Sequence, residues 1–125
     1  MHSWCNCVRI NDSGHYEDYA LGAFEAGTLI GVASYVVCGR PATAEVAVVV
    51  AHNDHLRGVG TVLLRRLAHI AHANRIRHLV ADVLTTNHLI FKVLHDASLH
   101  PQHTNYDSGV VHLDIDLAEL KPEPD

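Results

Sequence analysis

The sequence predicts an α/β (α+β) fold in which a mixed, mostly antiparallel sheet carries one long and one shorter helix. Three stretches support this. Two strand-like runs precede residue 37, a buried strand leads through a glycine-bearing loop into a helix between Ala44 and Leu67, and apolar and polar residues alternate from Val110 to Leu117. With 125 residues, 48% of them hydrophobic, the chain has enough material for one core.

The first part of the chain predicts an antiparallel hairpin. Residues 1–18 show no clear period, so we expect an irregular segment with at most a short strand at Cys7–Ile10. Tyr19–Ala26 and Leu29–Val37 are typical of two strands joined by a tight turn at Gly27-Thr28.

The middle of the chain predicts strand, helix and strand. A turn at Gly39–Thr43 leads into Glu45–Ala51, an apolar run typical of a central strand buried on both faces. The next helix extends to about Asn74, and its apolar residues recur at intervals of three and four: Val59, Val62, Leu63, Leu67, Ile70 and Ala71. His78–Leu84 predicts a strand that the right-handed crossover rule places parallel to the first.

The last part predicts a short helix and an edge of the sheet. His88–Ala97 has a helical apolar stripe, and Asn87 or Thr86 would cap it. Val110–Leu117 alternates as an antiparallel strand with one buried face. The expected organisation is an irregular segment at residues 1–18, one folded domain at 19–117 and a charged, proline-broken, disordered tail at 118–125.

Composition narrows the classes of partner. The formal net charge is −5, which argues against a nucleic acid or an anionic membrane. No stretch reaches the roughly 18 apolar residues of a membrane helix, and Met1–Ile10 lacks the features of a signal peptide. The three cysteines are an odd number and fit a reducing compartment. We therefore expect a cytoplasmic protein.

Cysteines and histidines offer candidate metal ligands, but their spacing favours no metal site. Cys5 and Cys7 with two histidines would supply four ligands, yet no second pair stands at the usual distance. His69 and His72 are three apart on the predicted helix, and no carboxylate one turn away completes a ligand set. We therefore predict no metal.

Arg57–Thr61, between the predicted strand and helix, is typical of an anion-binding loop. Its two glycines allow close approach of the backbone, and free amides at a helix start favour a phosphate. A Walker loop is excluded because Thr61-Val62 follows Gly60 where lysine and serine or threonine are required. A dinucleotide-binding loop is disfavoured because Leu63 replaces its third glycine, although Asp82 could serve as its acidic residue.

A third loop pattern fits better. His55-Leu56-Arg57-Gly58-Val59-Gly60 resembles the Gln/Arg-x-x-Gly-x-Gly/Ala pyrophosphate motif of the GNAT acetyltransferases. Glu45, ten residues before the motif, is similar to that family's strand glutamate, and Val83–Asn87 resembles its segment ending in a cofactor-facing asparagine. Gly31–Tyr35 resembles the strand before the glutamate. The resemblance runs from about Tyr16 to Leu117 and is closest to bacterial protein lysine acetyltransferases of the Pat type.

The resemblance implies an acetyl-CoA-dependent N-acetyltransferase that moves the acetyl group directly to an amine, with a protein lysine as the candidate acceptor. It implies that the backbone of Val48 and Val50 pairs with the pantetheine arm, while Asn87 bonds the arm from the other side. Asn87 equally suits a plain helix cap. The residues that would hold the pyrophosphate are His55, Leu56, Arg57, Gly58, Val59, Gly60 and Thr61.

Glu45 is the candidate general base. A lysine amine, with a pKa of about 10.4, is protonated at neutral pH, so another group must take its proton directly or through water. We expect the apolar strand to desolvate this carboxylate partly, which suits it to that task. The alternative is a structural glutamate that is solvated or paired with arginine.

Departures from the family pattern leave two hypotheses. Leu94 stands seven residues after Asn87, where many members of the family have a tyrosine that protonates the leaving thiolate. Residues 1–18 are also too few for the family's usual first strand and helix pair. Glu45 favours an enzyme, whereas the short front favours a non-catalytic acyl-CoA-binding sensor or regulatory module. We also expect a homodimer, because the short front would leave apolar strand surface open.

Overall fold

A computed structural model describes residues 3–5, 18–51, 58–105 and 107–120 of the chain. Its strands and α-helices in chain order are β1 (Ser3–Cys5), β2 (Asp18–Glu25), β3 (Thr28–Val37), β4 (Thr43–Val50), α1 (Val59–Ala73), β5 (His78–Leu84), α2 (His88–Asp96), β6 (Gln102–Asn105) and β7 (Val110–Asp116). The strands form one sheet in the order β1-β2-β3-β4-β5-β7-β6. Among these described strands, β4 and β5 are the one parallel pair. The predicted fold class is confirmed.

The two short edge strands are not evident in the sequence. β1 pairs antiparallel with β2, and β6 pairs antiparallel with β7. Strands of three and four residues are too short to show a period, so only the neighbouring strand reveals them. The strand predicted at Cys7–Ile10 and the end of the predicted tail at 121–125 lie outside the described residues.

The β2–β3 hairpin turns one residue earlier than predicted. Glu25 pairs with Thr28, so the two turn residues are Ala26 and Gly27 rather than Gly27 and Thr28. Both have positive φ, 50° and 83°, the combination that a tight hairpin turn requires. A β-branched threonine resists positive φ, which explains why Thr28 joins the strand instead.

Both helices pack on the same face of the sheet. In α1 the side chains of Leu63, Leu64 and Leu67 are fully buried against the strands. α2 lies beside α1 and over β6, where the rings of Phe91 and His103 stack with centroids 6.2 Å apart. No helix in the described part of the chain is long and apolar enough to cross a bilayer.

The core residue Tyr35 of β3 forms a hydrogen bond with the residue that follows α1. Tyr35 is fully buried, stacks on Tyr19 with ring centroids 6.0 Å apart, and its hydroxyl accepts a hydrogen bond of 2.8 Å from Asn74 Nδ2. Burial raises the pKa of Tyr35, and the bond from Asn74 opposes that shift. The hydroxyl is thus a satisfied structural group.

The opposite side of the sheet carries the alternate residues of each strand, and we name it the helix-free face because the described residues form no α-helix on it. In β4, Val46 and Val50 are buried, whereas Glu45, Ala47 and Val49 are exposed. The prediction that this strand is buried on both faces is therefore wrong. Both helices cover the face of Val46 and Val50, and neither covers the face of Glu45. Three apolar side chains of the helix-free face are more than half exposed: Val36 (51%), Val49 (69%) and Leu84 (58%).

Candidate functional site

The parallel strands β4 and β5 separate halfway along their length. Their pairing runs from Thr43 with His78 to Glu45 with Val80 and ends there. On its other side β4 stays paired with β3 as far as Val50, and β5 stays paired with β7 as far as Leu84. The two halves of the sheet therefore diverge, and a gap opens that begins at Glu45.

A cleft with a cavity volume of about 280 Å³ fills this gap. It is lined by residues of β4, β5 and the start of α2, namely Glu45, Val46, Ala47, Val48, Ala81, Asp82, Val83, Asn87, Leu89, Ile90 and Val93. The apolar lining comes mainly from the helix side, while the carboxylates of Glu45 and Asp82 line it from the helix-free face. One cleft therefore joins the two faces of the sheet.

The backbone of β4 turns its polar groups toward the cleft at alternate residues. At one end of the β3–β4 ladder, the N–H of Cys38 donates to the carbonyl of Thr43 over 3.0 Å, and at the other the N–H of Ala51 donates to Ile30 over 2.8 Å. Thr43 and Ala51 both have odd numbers, and in an antiparallel ladder every second residue of a strand bonds to the same neighbour. The odd-numbered residues of β4 therefore bond to β3. The backbone groups of Val48 and Val50 therefore point toward β5, as the sequence interpretation requires for a pantetheine arm.

Glu45 lies where the strands part, on the helix-free face. Its side chain is exposed. The expectation that the apolar strand desolvates this carboxylate is wrong, because the strand's burial comes from α1 on the opposite face. Glu45 is therefore open both to the cleft and to a molecule arriving from outside.

Asn87 stands across the cleft at the start of α2. Its Oδ1 accepts a hydrogen bond of 3.2 Å from the N–H of Ile90, so it is the helix cap. Capping uses the amide oxygen and leaves the two N–H donors of the amide nitrogen for another partner. The cap role and the predicted contact with a cofactor are thus compatible in one side chain.

The two glycines of the predicted loop, Gly58 and Gly60, are required for different structural reasons. Gly58 precedes α1 with φ +78°, a conformation that favours glycine, and a Cβ there would have no neighbour within 4 Å. At Gly60 a Cβ would lie 2.9 Å from Val93 and 3.3 Å from Val50, so this glycine lets α1 pack closely on α2 and β4. Only Gly58 faces open space. The predicted contacts His55, Leu56 and Arg57 lie outside the described residues.

Among the described residues, no side chain competes for the amides at the start of α1. No acidic residue stands in its first turn, and no side chain of the described chain caps it. The first hydrogen bond of the helix runs from the N–H of Val62 to the carbonyl of Gly58. The amides of Val59, Gly60 and Thr61 thus precede the helical hydrogen-bond ladder and lie at the positive end of the helix dipole.

The pair formed by Asp82 and His112 is the part of the site that sequence reasoning missed. Asp82 Oδ1 lies 2.7 Å from His112 Nδ1, and Asp82 lines the cleft. A polar residue within the apolar strand His78–Leu84 was the available signal. Its partner could not be found, because the β5–β7 register is a tertiary feature.

The described residues contain no group of three or more histidine, cysteine or carboxylate side chains placed to hold a metal. His69 Nδ1 instead lies 2.9 Å from the carbonyl of Arg65, to which it donates a hydrogen bond. Cys7, one of the cysteines considered as a ligand, lies outside the described residues.

Comparison with known proteins places this geometry in a family. The family model described as acetyltransferase (GNAT) matches residues 2–90. The GNAT domain of S. lividans PAT is 31% identical to this chain with a TM-score of 0.69, and the match covers 80% of this chain and 61% of that one. A search of curated proteins finds no match.

Two further solved structures share the fold at lower identity. A cAMP-binding acyltransferase from Mycobacterium smegmatis is 24% identical with a TM-score of 0.69, and covers 88% of this chain but 35% of that one. The Campylobacter jejuni N-acetyltransferase PseH, solved in complex with acetyl coenzyme A, is 19% identical with a TM-score of 0.61, covering 82% and 70%. The chain thus spans about three fifths of the S. lividans chain and a third of the M. smegmatis chain. With a family model matching most of its residues and diverging central strands, the chain belongs to the GNAT acetyltransferase family.

Proposed function

We propose that this chain is an acetyl-CoA-dependent N-acetyltransferase that moves the acetyl group directly from the thioester to an amine, with a protein lysine as acceptor. The observation that carries the proposal is the cleft between β4 and β5, which begins at Glu45 and joins the two faces of the sheet. A cleft of this form lets a thioester enter from one face and an amine from the other.

Acetyl-CoA binds along the helix side of the cleft in this proposal. Amides at the start of α1, from Gly58 to Thr61, hold the pyrophosphate together with His55–Arg57, because unpaired amides and the helix dipole favour an anion. The pantetheine arm runs beside β4 and pairs with the backbone of Val48 and Val50. Asn87 donates to the arm from the opposite wall.

Glu45 takes the proton of the acceptor ammonium, directly or through a water. The neutral amine then attacks the thioester carbonyl, the C–N bond forms, and the C–S bond breaks to release the thiolate, while the nitrogen gives its second proton to solvent to become the amide. Leu94, at the position where many family members carry a tyrosine acid, is buried with 3% exposure and cannot donate a proton. A thiol with a pKa near 8.5 leaves as a thiolate without such an acid, and solvent then protonates it.

A second candidate is a non-catalytic acyl-CoA-binding sensor or regulatory module. The exposure of Glu45 favours it, since the described residues do not shield this carboxylate from solvent. Both candidates use the same cofactor site and differ only in whether an amine is acetylated.

The deciding experiment measures acetyl-CoA affinity by calorimetry and release of free thiol in the presence of a panel of lysine-containing proteins. Affinity with turnover supports the enzyme, affinity without turnover supports the sensor, and no affinity contradicts both. We further propose a cytoplasmic location and a homodimer that covers the exposed Val49, at the end of the helix-free face away from Glu45.

A further inference from the structure

Beside Glu45 the cleft carries a second carboxylate that the chemistry above does not use. Glu45 pairs with Val80, and Asp82 stands two residues further along β5, so both acidic side chains point to the helix-free face. Both line the same cleft, and the side chain of Asp82 is 59% exposed. Two carboxylates from two diverging strands therefore flank one opening.

A histidine fixes the second carboxylate in place. His112 stands directly opposite Asp82 in the antiparallel β5–β7 ladder, and its Nδ1 lies 2.7 Å from Asp82 Oδ1. Because an ionised carboxylate only accepts, His112 Nδ1 donates this bond. The bond restricts the orientation of Asp82, and the carboxylate keeps further acceptor positions for a ligand.

The surroundings favour a cation. By strand register, five carboxylates lie on the helix-free face: Asp18, Glu45, Asp82, Asp114 and Asp116. None of the seven described strands contains a lysine or an arginine. The face therefore presents negative charge at the mouth of the cleft, which raises the local concentration of positively charged molecules.

We propose that Asp82, positioned by His112, binds the acceptor as an alkylammonium cation and aligns it with Glu45. This inference rests on the proposed function and adds the residue that selects its acceptor: a lysine-type amine that arrives charged from the helix-free face, rather than an aromatic or uncharged amine. The two carboxylates have separate roles, since Asp82 holds the cation while Glu45 removes one proton from it.

Binding of a small probe tests this without turnover. The protein, with and without coenzyme A, is titrated with Nα-acetyl-lysine N-methylamide and with the uncharged norleucine analogue, and binding is followed by NMR. We expect saturable binding of the lysine compound alone, and Asp82→Asn should weaken it about tenfold, the loss of one charge-assisted contact. Asp114→Asn is the matched control, because His78 holds Asp114 at 2.9 Å on the same face outside the cleft lining. Its effect should stay below about twofold.

Kinetics test the positioning role of His112. Asp82→Asn and His112→Leu should each raise KM for the lysine compound about tenfold while kcat and acetyl-CoA affinity change little. His112→Gln keeps an N–H donor and should restore part of the lost affinity. A merely structural role would instead lower the melting temperature and reduce all three quantities together.

The outcomes separate the inference from the function on which it rests. Equal binding of the norleucine compound, no saturable binding, or unchanged affinity in Asp82→Asn overturns the inference. Binding through Asp82 without acetylation leaves the cation site standing and removes the enzyme. Acetylation with an unchanged KM in Asp82→Asn removes the cation site alone.

Discussion

The two faces of the sheet are built from the same strands but differ in role: one face forms the core, and the other carries the candidate site. On the covered face Leu63, Leu67 and their strand neighbours are fully buried, and no charged side chain is found among the buried residues described. On the helix-free face stand the carboxylates of Glu45 and Asp82 and the exposed Val49. In β4 alternate residues belong to each face, so one strand supplies both the core and the chemistry. The comparison predicts that substitutions on the two faces have separable effects, on stability or on activity.

The largest expected effect is on turnover at Glu45. Glu45→Gln keeps the shape of the side chain and removes its basicity, so kcat should fall about 10²–10⁴-fold. Stopped-flow or steady-state thiol release measures this. Because the side chain is exposed on the helix-free face, acetyl-CoA affinity and melting temperature should change little.

Asp116→Asn is the control for that experiment. It removes one negative charge from the same face, and its amide oxygen can still accept the bond that Asp116 receives from the N–H of Ala118. A Glu45→Gln protein that is folded, binds acetyl-CoA and turns over at the wild-type rate would show that Glu45 is not the base. If neither wild type nor variant acetylates any amine while both bind the cofactor, the sensor is correct.

The next effect is on stability, and it belongs to the covered face. Leu67→Ala removes a fully buried side chain from α1 and should lower the free energy of unfolding by about 2–5 kcal/mol. Leu84→Ala, at a side chain that is 58% exposed on the helix-free face and lies outside the proposed dimer contact, should cost less than about 0.5 kcal/mol. Urea unfolding of the two variants measures the difference, and equal losses would mean that this part of the helix-free face is covered in solution.

The covered face was the part that sequence could predict. The apolar spacing of α1 and the length of β5 depend only on local pattern, and both elements lie where the pattern predicted them to within one residue. The predicted burial of β4 on both faces was wrong, because the local sequence pattern does not show that both helices lie on one side of the sheet. An apolar run with exposed alternate residues looks, in sequence, like a strand buried on both faces.

A smaller effect is expected where the covered face ends, at the start of α1. Gly58→Asp and Gly58→Asn both place a side chain that tolerates positive φ, and they differ in one negative charge. We expect acetyl-CoA affinity to be about 100-fold weaker in the aspartate variant than in the asparagine variant, because a carboxylate would repel the pyrophosphate. Calorimetry on the pair isolates charge from backbone strain.

Gly60 is the wrong position for that test. A side chain there would collide with Val93, so lost affinity could not be distinguished from a shifted helix. Equal acetyl-CoA affinities in the two Gly58 variants would place the pyrophosphate elsewhere. The sequence motif treats the two glycines alike, and only the packing of α1 on α2 separates them.

The site was less predictable than the core, for the same physical reason. Glu45 and Asn87 could be named because each stands at a position that resembles a family motif, Glu45 ten residues before the loop and Asn87 at the end of the segment Val83–Asn87. Asp82 acquires meaning only from His112, thirty residues away, through the β5–β7 register. Long-range register depends on the whole sheet, so a pair of this kind becomes visible only in the folded chain.

The smallest expected effect concerns the apolar part of the helix-free face. Val49 is 69% exposed and lies four residues beyond Glu45 on β4, so a second copy of the chain could cover it without covering Glu45 or Asp82. Val49→Lys would place a charge in such an interface and should weaken a dimer about tenfold, the cost of losing one buried valine contact. Leu29→Lys is the control, at an apolar residue of similar exposure, 49%, beside the β2–β3 turn. Sedimentation equilibrium at micromolar concentration measures both. A wild-type monomer would remove the dimer, and equal weakening by both variants would show that association does not use this face. If Val49→Lys alone dissociates the dimer and acetyl transfer persists, then the helix-free face uses Val49 for association and its carboxylates for acetyl transfer.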